Sequence, residues 1–345
     1  MYKSVLRPIL FSFSPEYIHN VIFNYLKIGK KLRVNKLLAK RLNPISLQME
    51  TNVCGLTFPN KVGLAAGLDK NAVAYEMFAS MGFGHIEIGT VTPKPQPGNP
   101  KPRSFRLPKD HALINRMGFN NHGLDEIVKR LKNKPKNLII GGNIGKNTLT
   151  PNNEALNDYL MCFNGLYNYV DYITVNVSCP NISNLSKLQD QDELEKILSA
   201  IDLERKTKDV HKPIFLKISP DLNDQQIDET LNVVAKCNVD GVIAVNTTVS
   251  RNNLKTQADR VKKIANGGLS GKPIKERSLE VIKYISNKTE GKLPIIGIGG
   301  IESPQDALDK IDAGASLVQV YTGFIYSGPG LAKQINKFLK YKLQK

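Results

Sequence analysis

Asparagine, threonine and lysine recur at the downstream ends of apolar runs in this chain. Asp69-Lys70 closes one run and Thr90-Val91-Thr92 the next; Asn143 and then Asn176-Val177-Ser178-Cys179-Pro180-Asn181 follow. Lys217, Asn246-Thr247, Gly299-Gly300 and Tyr321-Thr322 end four further runs. One or two such residues are ordinary caps and turns. At nearly every run end they need another explanation, because buried polar groups require partners. Side-chain amides donate and accept at once, so the pattern suits a ligand rich in hydrogen-bonding edges.

These residues need elements that bring them to one place. The β-rich apolar runs cover 62–68, 85–91, 138–145, 171–179, 213–219, 241–248, 294–301 and 316–323. Most are continuously apolar, as expected for parallel strands buried on both faces. Helical stretches fill the gaps at 192–208, 224–236, 278–287 and 303–313. Eight βα units of this length predict an α/β fold of the TIM (β/α)8 barrel type, whose strands present catalytic groups at their C-terminal ends. The competing open doubly wound sheet lacks its glycine fingerprint. A hairpin of 47–51 and 56–59 is expected to cap the barrel floor. Gly267 to Gly271 and Gly297 to Gly300 lie where this fold commonly binds phosphate through backbone N–H groups, although glycine pairs also make plain turns. The string Gly141 to Lys146 resembles a P-loop but lacks the spacing and the hydroxyl after the lysine.

Composition narrows the classes. The 345 residues are 41% hydrophobic, which excludes intrinsic disorder. No apolar run is long enough for a transmembrane helix. Four dispersed cysteines, without C-x-x-C, argue against a disulfide scaffold or cysteine zinc site. The five histidines show no ligand spacing, so no metal is expected. The formal net charge of +17 is concentrated at the two ends. Residues 1–45 hold nine Lys/Arg against Glu16 alone, and 331–345 hold five lysines and no acid. No nucleic-acid-binding motif accompanies this charge, so no nucleic-acid partner is expected. The C-terminal excess reads as a solvated face. At the N-terminus, Ser14-Pro15-Glu16 opens a helix with a capping hydroxyl, a first-position proline and an acid facing the dipole. Its basic amphipathic pattern suits either a membrane interface or packing on the body.

Several strings together resemble the dihydroorotate dehydrogenase family. They are Gly63 to Lys70, Gly89 to Pro93, Asn115 to Asn120, Asn143 to Asn147, Asn176 to Asn181, Asn246 to Thr248, Gly267 to Gly271, Gly297 to Ile301 and Tyr321 to Phe324. The resemblance covers essentially the whole chain, and the N-terminal extension is similar to that of the quinone-using class. It implies oxidation of (S)-dihydroorotate to orotate, with FMN as cofactor and a membrane quinone as acceptor. It also implies a peripheral protein on the cytoplasmic side of the inner membrane, touching an anionic lipid surface. Residues 1–45 would form the membrane and quinone-tunnel extension, and 46–345 the FMN-binding barrel. Position by position, the resemblance places Ala66, Gly67, Leu68, Asp69, Lys70, Thr90, Asn143, Asn176, Lys217 and Val245 along FMN, with Gly271, Gly300, Tyr321 and Thr322 at its phosphate. Lys70, Asn115, Arg116, Met117, Gly118, Phe119, Asn176, Asn181, Asn246 and Thr247 would bind substrate. His19 and Arg106 would face the quinone tunnel, and 182–191 would form a lid. The catalytic base falls on Cys179, where quinone-using members usually carry serine and the soluble, fumarate-using class cysteine. A thiol titrates near 8.5, which makes it a competent base. By strand alternation Ser178 faces away from it.

Overall fold

The computed structural model describes residues 2–43, 49–178 and 191–343. The N-terminal helices are α1 (Arg7–Phe11), α2 (Pro15–Lys31) and α3 (Val34–Leu42), after a π-helical turn at Tyr2–Leu6. A two-stranded hairpin follows, β1 (Thr51–Val53) with β2 (Leu56–Phe58), paired Val53 to Leu56. Its second strand matches the expected 56–59, whereas its first lies later than the expected 47–51, of which 47 and 48 lie outside the described residues. Cys54 (φ 50°) and Gly55 (φ 78°) are both left-handed. Two such residues make the tight turn that matches strand twist, and it fixes the register around them.

The barrel is as expected. Eight parallel strands close in the order β3 (Val62–Leu64), β4 (His85–Val91), β7 (Ile139–Ile144), β8 (Tyr172–Asn176), β9 (Ile214–Ile218), β10 (Gly241–Ala244), β12 (Ile295–Ile298) and β13 (Leu317–Val320). Every one of these strands is buried along nearly its full length, which explains the unbroken apolar runs. Helices α4 (Tyr75–Ser80), α5 (Leu124–Leu131), α6 (Ala155–Tyr167), α7 (Gln191–Lys206), α8 (Asp224–Lys236), α10 (Lys275–Lys288), α11 (Pro304–Asp312) and α13 (Leu331–Leu343) lie between or after the strands. Asn223 and Ser303 close reciprocal capping boxes at α8 and α11. Inside the barrel, Tyr172, Phe215, Ile243, Ile296 and Leu317 form an apolar floor against Val53 and Phe58 of the hairpin.

A second sheet covers part of the opposite end. The strands β5 (Ser104–Leu107), β6 (Ala112–Asn115) and β11 (Gly268–Gly271) pair antiparallel, with β6 in the centre. Strands β5 and β6 are near neighbours in sequence, but β11 joins them from about 150 residues further on, so no local pattern signals the complete sheet. Two short helices, α9 (Ala258–Ile264) and α12 (Thr322–Ser327), flank this region.

The N-terminal helices dock on the barrel by specific polar contacts. Ser14 occupies the α2 cap position, yet its hydroxyl makes no cap bond. Glu16 turns instead to Arg103, whose guanidinium donates two bonds of 3.2 Å and one of 2.7 Å to it. Arg106 donates to the Phe13 carbonyl at 2.7 Å and lies 4.5 Å from the Phe11 ring. Phe23 joins the barrel core.

Lys310 on α11 is fully buried and donates to Ser278 Oγ at 2.8 Å. Burial, reinforced by the nearby Lys275 charge, pushes its amine down to about 7. Between that value and the ordinary lysine range, the unfolded chain binds more protons than the folded one, so this group makes stability rise with pH across the window. Lys310→Met removes the desolvation cost of the charged form. The melting temperature of the variant relative to wild type should therefore fall as pH rises from about 7 to about 10. Thermal unfolding across that range checks it; a constant difference contradicts the assignment.

Candidate active site

The C-terminal strand ends meet in a cavity at the barrel mouth. Its wall takes Ala65 to Gly67 and Lys70 beyond β3, Thr90 of β4, Asn176 of β8 and Lys217 of β9. Val245 to Thr247 follow β10, Ile298 to Ile301 end β12, and Gln319 to Gly323 end β13. The antiparallel sheet closes one side with Asn115, Met117 to Phe119, Ser270 and Gly271. Thus every barrel strand except β7 reaches the cavity directly.

The side chains hold one another in a directed network. Thr90 Oγ1 donates to Asn143 Oδ1 at 2.6 Å, and Asn176 Nδ2 donates to Thr90 Oγ1 at 3.1 Å. Asn246 Nδ2 donates to Asn176 Oδ1 at 3.3 Å and to Ser178 Oγ at 3.0 Å. Ser178 itself donates to the Lys217 carbonyl at 2.8 Å. Lys217 is buried, and its ammonium stands 3.7 Å from the buried Glu87 carboxylate. Ser270 Oγ and Thr322 Oγ1 lie 2.8 Å apart and tie the two glycine-rich sides together. Gly271 has φ 103° and ψ −153°, a conformation open essentially to glycine alone. A Cβ there would sit 2.4 Å from the His111 carbonyl.

Most of the expected residues converge here, and some do not. Leu68, Asp69, Asn143 and Arg116 are outside the cavity wall. Asp69 is a structural cap: its carboxylate accepts from the Val73 and Ala74 amides at 2.8 Å, and burial pushes it up to about 6. Leu68 and Asp69 border a second cavity instead. Asn143 lies behind Thr90 and Asn176, supporting both. Arg116 lies over the Phe105 ring at 4.8 Å and donates to the Ile264, Asn266 and Pro102 carbonyls, bracing β6 against its neighbours. Lys146 of the P-loop-like string is buried, donating to the Thr150 carbonyl at 2.7 Å. Cys179 and Asn181 lie outside the described residues, as does the expected lid except for Gln191, which opens α7. The sequence does not single out Glu87 or Gln319, and Ser178 and Ser270 lie inside site-bearing strings without being named as site residues themselves. A charged residue inside the apolar run His85-Ile86-Glu87-Ile88 was the available signal for the first, and Gln319 inside β13 for the second.

The second cavity, of about 660 Å³, lies between the N-terminal helices and the barrel. It is bordered by Leu10, Ile18, Ile22, Phe23 and Phe324 among its apolar residues, and by both His19 and Arg106. His19 stacks on Phe23 with ring centres 4.2 Å apart. Burial, with the Lys70 charge nearby, lowers its imidazole to about 4, so it is neutral at pH 7. Gly67, Lys70, Asn115, Met117 and Tyr321 border both cavities and form a wall between them. Among the described residues, no helix is long and apolar enough to cross a membrane.

Comparison with known proteins agrees with this geometry. The family model described as dihydroorotate dehydrogenase matches residues 48–343. A protein from Christiangramia forsetii named dihydroorotate dehydrogenase (quinone) is 52% identical over 338 residues, covering 98% of each chain. A protein of the same name from Chromobacterium violaceum is 46% identical over 348 residues, covering 100% of this chain and 99% of its own. The crystal structure of DHODH from Eimeria tenella in complex with ferulenol superposes with a TM-score of 0.83 at 37% identity, covering 96% of this chain and 92% of that one. A family match over the whole barrel, and relatives aligned from end to end, establish that the chain belongs to the dihydroorotate dehydrogenase family.

Proposed function

We propose that the chain oxidises (S)-dihydroorotate to orotate in pyrimidine biosynthesis, with FMN held at the barrel mouth and a membrane quinone as the final acceptor. The observation that carries this reading is the pair of adjoining cavities, one carrying convergent amide, hydroxyl and lysine side chains and a glycine-rich rim and the other largely apolar, sharing a wall of five residues. The mouth suits FMN. Gly271 and the Gly299-Gly300 pair expose backbone where a phosphate needs close approach. On the cavity floor, the buried Gln319 Oε1 has no hydrogen-bond partner among the described residues, an acceptor that a ring N–H would satisfy.

In this reading Ala66, Gly67, Thr90, Asn176, Lys217 and Val245 hold the ring system, and Gly271, Gly300, Tyr321 and Thr322 hold the phosphate. Lys70, Asn115, Met117 to Phe119, Asn246 and Thr247 hold the substrate's carboxylate and ring amides, joined by Asn181. Bound FMN would supply the acceptor for the hydride that leaves C6. Cys179 Sγ takes the proton from C5, so that the C5–C6 double bond of orotate forms as both leave. Asn246, held between Asn176 and Ser178, cannot turn freely and so presents one fixed edge to the substrate. His19 enters the quinone chamber as a neutral ring, a hydrogen-bonding group without charge.

The N-terminal helices are the proposed membrane contact, on the cytoplasmic side of the inner membrane. Among the described residues, ten of the seventeen exposed large apolar side chains lie between Val5 and Leu37, including Ile9, Phe13, Tyr25, Ile28 and Leu32. Lysines and arginines flank them, so apolar insertion and attraction to anionic lipid act together.

Purified protein should carry a yellow flavin that dihydroorotate bleaches without oxygen, and a short-chain quinone should restore the colour faster than fumarate does. No bleaching sinks the reaction; faster recovery with fumarate favours the soluble-class acceptor that Cys179 suggests. Cys179→Ala should slow bleaching by about 10²–10⁴-fold while the bound flavin's spectrum persists. Rapid mixing with dihydroorotate measures this, and a wild-type rate removes Cys179 as the base. In co-sedimentation, vesicles containing anionic lipid should capture the full chain and release part of it as salt rises; equal binding to neutral vesicles would exclude the electrostatic contribution.

A further inference from the structure

Glu87 is fully buried at the centre of the barrel, one layer beneath the mouth cavity. Groups from four other strands converge on it. Asn143 Nδ2 of β7 donates to Oε1 at 2.8 Å, and Gln319 Nε2 of β13 donates to Oε2 at 2.9 Å. Thr174 and Tyr172 of β8 donate their hydroxyls to Oε2 at 3.3 and 3.4 Å. The Lys217 ammonium of β9 stands 3.7 Å from Oε1. All five neighbours are donors, the surroundings of an ionised carboxylate, which can only accept.

That restriction propagates. Because Glu87 accepts, Asn143 must turn its NH₂ downward and its oxygen up. The oxygen then receives Thr90 Oγ1–H at 2.6 Å and Asn176 Nδ2 at 3.3 Å. Asn176, having spent its NH₂ there and on Thr90, turns its oxygen to the Asn246 amide at 3.3 Å. The Asn246 oxygen in turn accepts from the Thr247 backbone amide at 2.8 Å. From Thr90 and Asn246 through Asn176 and Asn143, the donated hydrogens point along one path that ends at Glu87. Reversing any amide would set donor against donor or acceptor against acceptor, and in a buried network each mismatch leaves unpaired polar atoms.

We propose that Glu87 is the positioning residue that sets the hydrogen-bond direction of Asn143 and, through it, of the cofactor-facing Thr90 and Asn176, and that it offsets the Lys217 charge beneath the flavin. The proposal rests on the FMN reading of the mouth cavity. Glu87 is not part of the mouth-cavity lining; it acts through Lys217 and the amides. A buried cation next to the flavin favours the reduced, anionic form, and a facing carboxylate moderates that preference.

Glu87→Gln keeps the shape and removes the charge. Apoprotein titrated with FMN, followed by flavin fluorescence, should bind about tenfold more weakly. The midpoint potential of the FMN still bound should move positive, because the Lys217 ammonium is left uncompensated. Lys217→Met should move it negative, and the double variant should lie between the two. A folded Glu87→Gln protein with wild-type affinity and potential overturns the proposal. Should that variant fail to fold, Glu87→Asp carries the test. It keeps the charge on a shorter stem, so the potential should stay near wild type while affinity falls, and an aspartate variant with unchanged affinity overturns the proposal. Wild-type protein that takes up no FMN overturns the cofactor reading and this proposal with it, whereas unchanged variants of an FMN-binding wild type overturn this proposal alone.

Discussion

A closed parallel barrel leaves its strands no choice about where they end. Once β13 pairs with β3, all eight C-termini open on the same side. Residues at those ends face one another whatever their separation in sequence: Asn176 meets Asn143, 33 positions away, and Thr90, 86 positions away. Closure also rules out an outlet for interior side chains. They stack in layers, an apolar one near the hairpin and a polar one above it, and the polar layer must be satisfied from within. The chemistry of the mouth therefore depends on a constraint set by backbone pairing far below it.

The second constraint is the docking of the N-terminal helices. Glu16 engages Arg103, and the same guanidinium also donates to the Pro97 and Asn99 carbonyls. Asn99 and Gln96 donate in turn to the carbonyls of Arg116 and of Gly118 and Phe119, on the loop that borders the mouth cavity. One arginine thus fastens the helical extension to the segment that shapes the proposed substrate side. Removing either partner of such a half-buried pair leaves the other charge without its counterpart, a cost larger than the pair's own net contribution.

Much of this architecture was legible in the sequence, for identifiable reasons. The eight strands announced themselves because burial on both faces demands unbroken apolar runs, and the mouth residues because amides and lysines ended those runs. The antiparallel sheet was not legible. Its strand Gly268–Gly271 is half glycine and pairs with Ala112–Asn115 across a long stretch of chain, so neither periodicity nor proximity marks it. The second hairpin strand lies where the sequence places it, but the first begins at Thr51 rather than 47, because the Cys54-Gly55 turn depends on backbone angles that composition does not display. Asp69 and Arg116 stood inside matching strings, yet one caps α4's approach and the other braces β6. Adjacency to site residues in sequence did not separate contact from support. Glu87 was overlooked for the opposite reason: a lone acid within a strand carries little weight until its five partners are seen together.

The wall formed by Gly67, Lys70, Asn115, Met117 and Tyr321 has one more implication. Two chambers divided by a single layer of side chains are separate rooms for molecules and neighbouring rooms for electrons. A lipid-soluble guest in one has no need to leave before a water-soluble guest enters the other. In the proposed reaction the protein would then work as a partition, keeping an aqueous metabolite and a membrane carrier out of each other's way while charge passes between them.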